Sequence, residues 1–273
     1  MKLIKSKPDP ATTRKDLTKY FMVTVMAGIL AAGTLRLQAQ PITVPNFSFE
    51  SPSGVGFPFG TNPSVDSWVK IPEPAFYTPA FGGFGISWNE TAGVFVDTNP
   101  YLNHDGTQCG YILAVPQVTL FQDYNSSPTH DFNATFEVGK AYNLTVGIFG
   151  KPSLAPASTL QLSLYYLDGL GNKVTVGSTT VTYSAAAFPI TPSLNLIDYQ
   201  VNVPIVQAAD AWAGQHIGIQ LESTIPIEAT SFGNWDFDNV RLISEVPEPN
   251  SLSLLALGFG GLLLARARSR RRS

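Results

Sequence analysis

Cysteine is nearly missing from this chain: Cys109 is its single copy, so no internal disulfide and no zinc site with two thiolates can form. Nothing around Cys109 marks an activated thiol, and a small buried core residue is its plainest role. Histidine is scarce as well, and His104, His130 and His216 stand too far apart in sequence for a local ligand pair. There is no G-x-S-x-G elbow, no H-E-x-x-H and no glycine-rich phosphate loop with lysine, which removes the common signatures of serine hydrolases, zinc proteases and nucleotide enzymes. Paired carboxylates of the glycosidase kind stay open, because spacing in sequence does not set distance in a β-fold.

Charge is low at 14% of residues, and it is divided unevenly. Residues 1–40 carry seven Lys/Arg against two Asp/Glu, residues 41–245 five against seventeen, and residues 246–273 five against one. A body at net −12 repels phosphate backbones, which excludes nucleic acid as its partner and favours cations.

No apolar run is long. Residues 21–35, FMVTVMAGILAAGTL, follow a basic stretch and precede the small-residue site LQAQ, so residues 1–39 read as a secretory signal peptide cut by signal peptidase after Ala39. At the other end, residues 252–265 are apolar and lead into Arg266, Arg268, Arg270, Arg271 and Arg272. About fourteen helical residues rise ~21 Å, short of the ~30 Å hydrocarbon core, so this transmembrane helix would anchor weakly. Val246, Pro247, Glu248 and Pro249 stand directly before it.

That order of motif, short apolar helix and arginine cluster over residues 246–273 resembles the PEP-CTERM sorting signal of Gram-negative-type bacteria. The resemblance implies an exosortase as partner, transient anchoring in the inner membrane, and delivery to the cell surface or an extracellular, biofilm-type exopolysaccharide matrix. A plain tail-anchored protein is the alternative.

Residues 40–245 show two-residue alternation rather than helical periodicity. Tyr142, Leu144, Val146 and Ile148 share one side of a strand, as do Leu160, Leu162 and Leu164, and Ile217, Ile219 and Leu221. The run 168–172, DGLGN, predicts a hairpin turn. Further strands are expected at 46–50, 67–71, 110–115, 118–123, 133–138, 174–183, 199–203 and 235–243, with one helical stretch at 205–215. The expected fold is therefore all-β: an antiparallel β-sandwich, flanked by the signal helix and the transmembrane helix. PNFSFESP at 45–52, DGTQCGYI at 105–112 and WDFDNVRL at 235–242 resemble the galactose-binding-like jelly rolls, although Phe47 stands where that pattern has glycine.

Alternation in the first strand puts Phe47 and Phe49 on one face and Asn46, Ser48 and Glu50 on the other. In the last strand it puts Asp236, Asp238, Val240 and Leu242 together, so a core-facing Leu242 turns Asp238 inward, where a carboxylate needs a cation or donors. The resemblance implies that first and last strands lie close and share a structural Ca²⁺, with Glu50 and Asp238 as ligands; hydrogen bonds from turn amides are the alternative. Phe76, Tyr77, Phe81, Phe84 and Trp88 in a Gly/Pro-rich stretch are candidates for stacking on carbohydrate, or for the core, while Trp68, Trp212 and Trp235 read as core anchors. The resulting expectation is a non-catalytic exported protein with a carbohydrate-binding role. A secreted carbohydrate-active enzyme on the same sandwich and a purely structural, adhesive matrix protein are the alternatives.

Overall fold

The computed structural model describes residues 39–55, 60–80, 85–96, 101–191, 194–231 and 233–246. The expected signal helix, the transmembrane helix and the arginine cluster lie outside the described residues, as do Pro247, Glu248 and Pro249. Twelve strands fill the described part: β1 Gln40–Ile42, β2 Thr61–Asn62, β3 Val69–Lys70, β4 Ala92–Val96, β5 Gln108–Leu113, β6 Thr119–Gln122, β7 Ala141–Gly150, β8 Thr159–Leu167, β9 Lys173–Thr182, β10 Ile197–Val203, β11 Gly218–Ser223 and β12 Asn234–Glu245.

Two antiparallel sheets form. The first runs β10-β7-β12-β5-β4-β2 with β1 also on β12, and the second runs β3-β6-β11-β8-β9. Alternating apolar residues make this sandwich close: Leu144, Val146 and Ile148 of β7 face Leu160, Leu162 and Leu164 of β8 and Ile219 and Leu221 of β11 within one buried core. The 168–172 turn joins β8 to β9, with Asp168 accepting from the Leu170 and Asn172 amides and closing the loop.

Three expectations need correction. Residues 46–50 are a turn and not a strand, because Asn46 and Phe49 both adopt positive φ, at 49° and 54°. Phe49 is consequently fully buried while Phe47 is 39% exposed, so the two do not share a face. Residues 205–215 form turns, with no α-helix among the described residues. Residues 133–138 contribute only an isolated bridge between Thr135 and His216.

Trp235 and Phe237 of β12 lie in the inter-sheet core, where Phe237 meets Phe49 edge-on at 5.0 Å and Trp235 meets Phe188 at 5.8 Å. Asp236 and Asp238 therefore point to the opposite face, away from the second sheet. Strict alternation aligns Asp238 with Val240 and Leu242, but a bulge between Asp238 and Arg241, with Asn239 at φ 55°, switches the side. Val240 and Leu242 return to the core, and Asp238 stays with Asp236.

Candidate functional site

That opposite face of the first sheet is covered rather than open. Every residue of β5 is buried, as are the last seven of β7, which a sheet with one solvent face would not allow. The cover consists of residues 101–105 and 194–196, joined by Leu102 N–H to the Leu194 carbonyl at 2.8 Å and Leu196 N–H to the Leu102 carbonyl at 3.0 Å. Asn103 fixes this layer by donating to the Leu196 carbonyl and, at 2.6 Å, to Asp198, which also receives Arg241. Gly147 is required beneath it, since a side chain there would press on Leu196 and the Asp238 carbonyl.

Asp236 sits under this cover with no exposed surface. The Tyr101 hydroxyl donates to its Oδ2 at 2.5 Å, the Lys151 ammonium lies 2.9 Å from the same oxygen, and the Asn234 amide reaches Oδ1. Three donors thus converge on one buried carboxylate, and charge-assisted contacts of this kind are the stronger hydrogen bonds. The surroundings are aromatic: Tyr111 and Phe149 flank Asp236 in register on β5 and β7, and Tyr101 packs on Phe149 at 5.4 Å. Phe95 meets Tyr111 at 6.4 Å, and the Lys151 ammonium lies 5.1 Å from the Tyr101 ring centre and 5.8 Å from that of Phe95. Acid, base, cation and aromatic faces are thus brought into one place.

One register step away, Asp238 is also fully buried. Its Oδ2 accepts from the Asp105 amide at 2.7 Å, while its Oδ1 has no hydrogen-bond partner. Burial pushes the Asp238 carboxyl up to about 8, with the neighbouring charges of Asp105 and Glu50 adding to the rise. Glu50 reaches the same loop, its Oε1 accepting from the Thr107 and Gln108 amides, each at 2.7 Å, and its Oε2 from the Thr107 hydroxyl at 3.0 Å. Gly106, at φ 94°, passes so close to the Glu50 carboxylate that any Cβ would collide with it. Both acids expected as ligands accept from amides of the 105–108 turn, the alternative partners the sequence allows, and the Glu50 charge is felt at Asp238.

A cation is compatible with this geometry. His104, Cys109 and Asp238 each offer a ligand atom within 4.8 Å of the others. His104 Nε2, however, lies 2.8 Å from the Gln108 carbonyl, which occupies its donor, so a soft nitrogen and sulfur site is poorly presented. The oxygens on offer are those of two carboxylates, of which Asp238 Oδ1 is buried and has no hydrogen-bond partner.

Of the aromatics expected to stack on carbohydrate or to enter the core, two are core residues. Tyr77 and Trp88 are buried and meet edge-on at 5.0 Å, with the Tyr77 hydroxyl donating to the Ile86 carbonyl and the Trp88 indole to that of Ile71. Phe76 is half-buried, and Phe81 and Phe84 lie outside the described residues. Trp68 and Trp235 are core residues as expected, and Trp212 is half-buried. Tyr101, Lys151 and Asp236 were not singled out as functional by the sequence. The available signal was WDFDN, two acids alternating with large aromatics on one strand.

The profile of the HpiC1-like family, described as HpiC1 cyclase, matches residues 40–243. Two solved structures share the fold. A cyclase from Fischerella sp. TAU has 19% identity and a TM-score of 0.50, over 78% of this chain and 100% of its own. A Stig cyclase, Fisc, from Fischerella sp. TAU, solved in complex with (3Z)-3-(1-methyl-2-pyrrolidinylidene)-3H-indole, has 20% identity and a TM-score of 0.51, over 77% of this chain and 100% of its own. No curated protein matches the chain.

These matches correct the functional expectations. The body is not assigned to the galactose-binding-like proteins with PEP-CTERM signals, and the non-catalytic reading falls with that resemblance, since a cyclase family points to an enzyme. The carbohydrate-active alternative is no better matched. Among the described residues no helix is long and apolar enough to cross a membrane. The family gives no indication of an inner-membrane precursor or of a surface or matrix destination, so that localisation is withdrawn. With its residues 40–243 matched end to end, the chain belongs to the HpiC1-like cyclase family.

Proposed function

We propose that this protein is a cyclase whose reaction centre is the Asp236 carboxylate with Tyr101 and Lys151. The observation that carries the proposal is the convergence of a hydroxyl and an ammonium on one fully buried carboxylate among aromatic rings. Isomerising ring closure adds a proton to one carbon of an unsaturated substrate. The π electrons of a second unsaturated group then form the new carbon–carbon bond with the resulting cation, and a proton leaves a neighbouring carbon. Atoms and charge balance without a co-reactant. Tyr101 and Lys151 form the donor side, and Asp236 accepts the departing proton and returns it to the donor across their direct contact, restoring the starting state. Between these steps the carboxylate and the faces of Phe95, Tyr111 and Phe149 stabilise the cation. A neutral, polycyclic aromatic substrate of indole type fits such a lining, and the indole compound bound by the Fischerella Stig cyclase is of that chemistry.

The test is conversion of a panel of alkenyl indoles, followed by chromatography and mass spectrometry for products of unchanged mass. Asp236→Asn is expected to lower the rate by about 10²-fold or more, in the range of lost acid–base catalysis, with the melting midpoint checked in parallel. Comparing Tyr101→Phe with Lys151→Met identifies the proton donor. A wild-type rate in folded Asp236→Asn would overturn the assignment.

We further infer that Glu50 and Asp238 hold a structural Ca²⁺ beside the 104–108 loop. The support is the unpartnered, buried Asp238 Oδ1 and the second carboxylate close by. The ion would supply the positive charge these acids lack, fixing the 101–105 cover from which Tyr101 reaches Asp236.

A further inference from the structure

A cavity of about 240 Å³ opens at the end of the second sheet, between the end of β6, the β8–β9 hairpin and the approach to β11. Asp123, Tyr124, Asn125, Tyr165, Asp168 and His216 line it. Neither the proposed reaction nor the cation site uses any of them.

The walls are already set. Tyr124 is clamped face to face between His130, at 3.9 Å and 1°, and His216, at 4.0 Å and 17°. His130 Nδ1 also lies 2.6 Å from the Tyr124 carbonyl. Asp123 is only 5% exposed, yet both its hydrogen-bond donors are neutral: the Asn125 amide at 2.9 Å and the Tyr165 hydroxyl at 2.7 Å. Burial, with the neighbouring Asp123 charge, pushes the Tyr165 hydroxyl far up, so it remains a neutral donor to that carboxylate. The Lys173 ammonium is held over the Phe121 ring at 3.2 Å, lies 4.8 Å from the Tyr165 ring centre and donates to Gln220; it feels the Asp123 charge at longer range but forms no salt bridge with it. The lining thus presents two carboxylates and no lysine or arginine, with His216 Nδ1 buried and unpartnered.

A buried carboxylate without an ion-paired cation, in a preformed cavity, attracts a positive ligand that can also donate hydrogen bonds. We propose that this cavity binds a small protonated organic amine, with its ammonium on Asp123 and its apolar part against Leu167 and Tyr165. A metal ion is the poorer occupant. Among the described residues the only three-residue group able to hold one is that at Asp238, in the other sheet. An anion is excluded by the sign of the lining. Prior fixing of Tyr124 and Tyr165 reduces the ordering that binding would otherwise require.

Benzylammonium, benzyl alcohol and benzoate, of nearly one shape and three charges, test this by calorimetric titration of the full chain. Saturable binding of benzylammonium, at least tenfold tighter than benzyl alcohol, with benzoate silent, is expected. Asp123→Asn keeps an acceptor for Tyr165 and should lose at least tenfold for the amine without a change in melting midpoint. Thr180→Ala, on the open face of β9 and outside the cavity lining, should retain binding, which guards against a loss caused by handling or unfolding. Asp236→Asn should leave amine binding unchanged, which separates this site from the proposed reaction centre. Equal binding of the amine and the alcohol, or unchanged binding in Asp123→Asn, would overturn the proposal.

Discussion

The two sheets have equivalent inner faces and opposite outer ones. The outer face of the second sheet is open along β9, where Thr175, Ser178, Thr180 and Thr182 alternate outward to water. The outer face of the first is roofed by residues 101–105 and 194–196 and holds Asp236 and Asp238 at zero exposure. A roofed face is costly to build, because its carboxylates lose water and have to be met by donors or ions. On the roofed face that cost is met by gathering two acids, two tyrosines and a lysine, which is the reason for placing the chemistry there.

Changes that destroy the shared core should have the largest effect and erase the comparison altogether. Phe49→Ala removes a ring that packs on Trp68 and Phe237, and should cost about 3–5 kcal/mol in chemical denaturation, the usual range for a buried phenylalanine. Removing calcium acts on the roofed face alone. Chelator should lower the melting midpoint of the wild type but not of Asp238→Asn, and added Ca²⁺ should restore it only in the wild type. Smaller still is Gly106→Ala, which meets both a positive φ and the Glu50 carboxylate. It should lose roughly 1–3 kcal/mol, the scale of a strained backbone position, together with much of the calcium response.

The least effect belongs to the open face. Thr180→Ala on β9 should change stability by less than ~0.5 kcal/mol, as exposed substitutions usually do. Lys173 gives that face a pH signature. Burial lowers its ammonium to about 8, partly offset by Asp123 and Glu222, so the folded state binds this proton less readily than the unfolded chain. The unfolded chain then carries the extra proton between about pH 8 and 10.5, and stability gains from rising pH across that window. Lys173→Met should flatten the contribution, as followed by denaturation at several pH values.

The same contrast explains what was legible in the sequence. Strands of the second sheet, and β7 with one edge on β10, carry clean alternation, and their positions follow from Leu160–Leu162–Leu164 or Ile219–Leu221 by inspection. The 168–172 hairpin is equally plain, since Asp168 and Gly171 have the chemistry its turn needs. On the roofed sheet alternation fails. AGVFV of β4 is buried or half-buried throughout and offers no period, so it went unread. Asp238 was placed near Glu50 for a partly faulty reason, because the bulge at Asn239, which alternation does not foresee, reverses the face. Tyr101 and Lys151 lie 135 and 85 positions before Asp236, and only the fold unites them. A function argued from short motifs at the chain's ends was overturned for the same reason: the family is carried by the whole of residues 40–243.

The most direct test of the account is titration of the protein with (3Z)-3-(1-methyl-2-pyrrolidinylidene)-3H-indole, the compound held by the related Stig cyclase structure, in wild type, Asp236→Asn and Asp123→Asn. Saturable binding that weakens at least tenfold in Asp236→Asn and persists in Asp123→Asn is the predicted result. Unaltered binding in a folded Asp236→Asn protein would contradict the claim that the roofed face is the reaction centre.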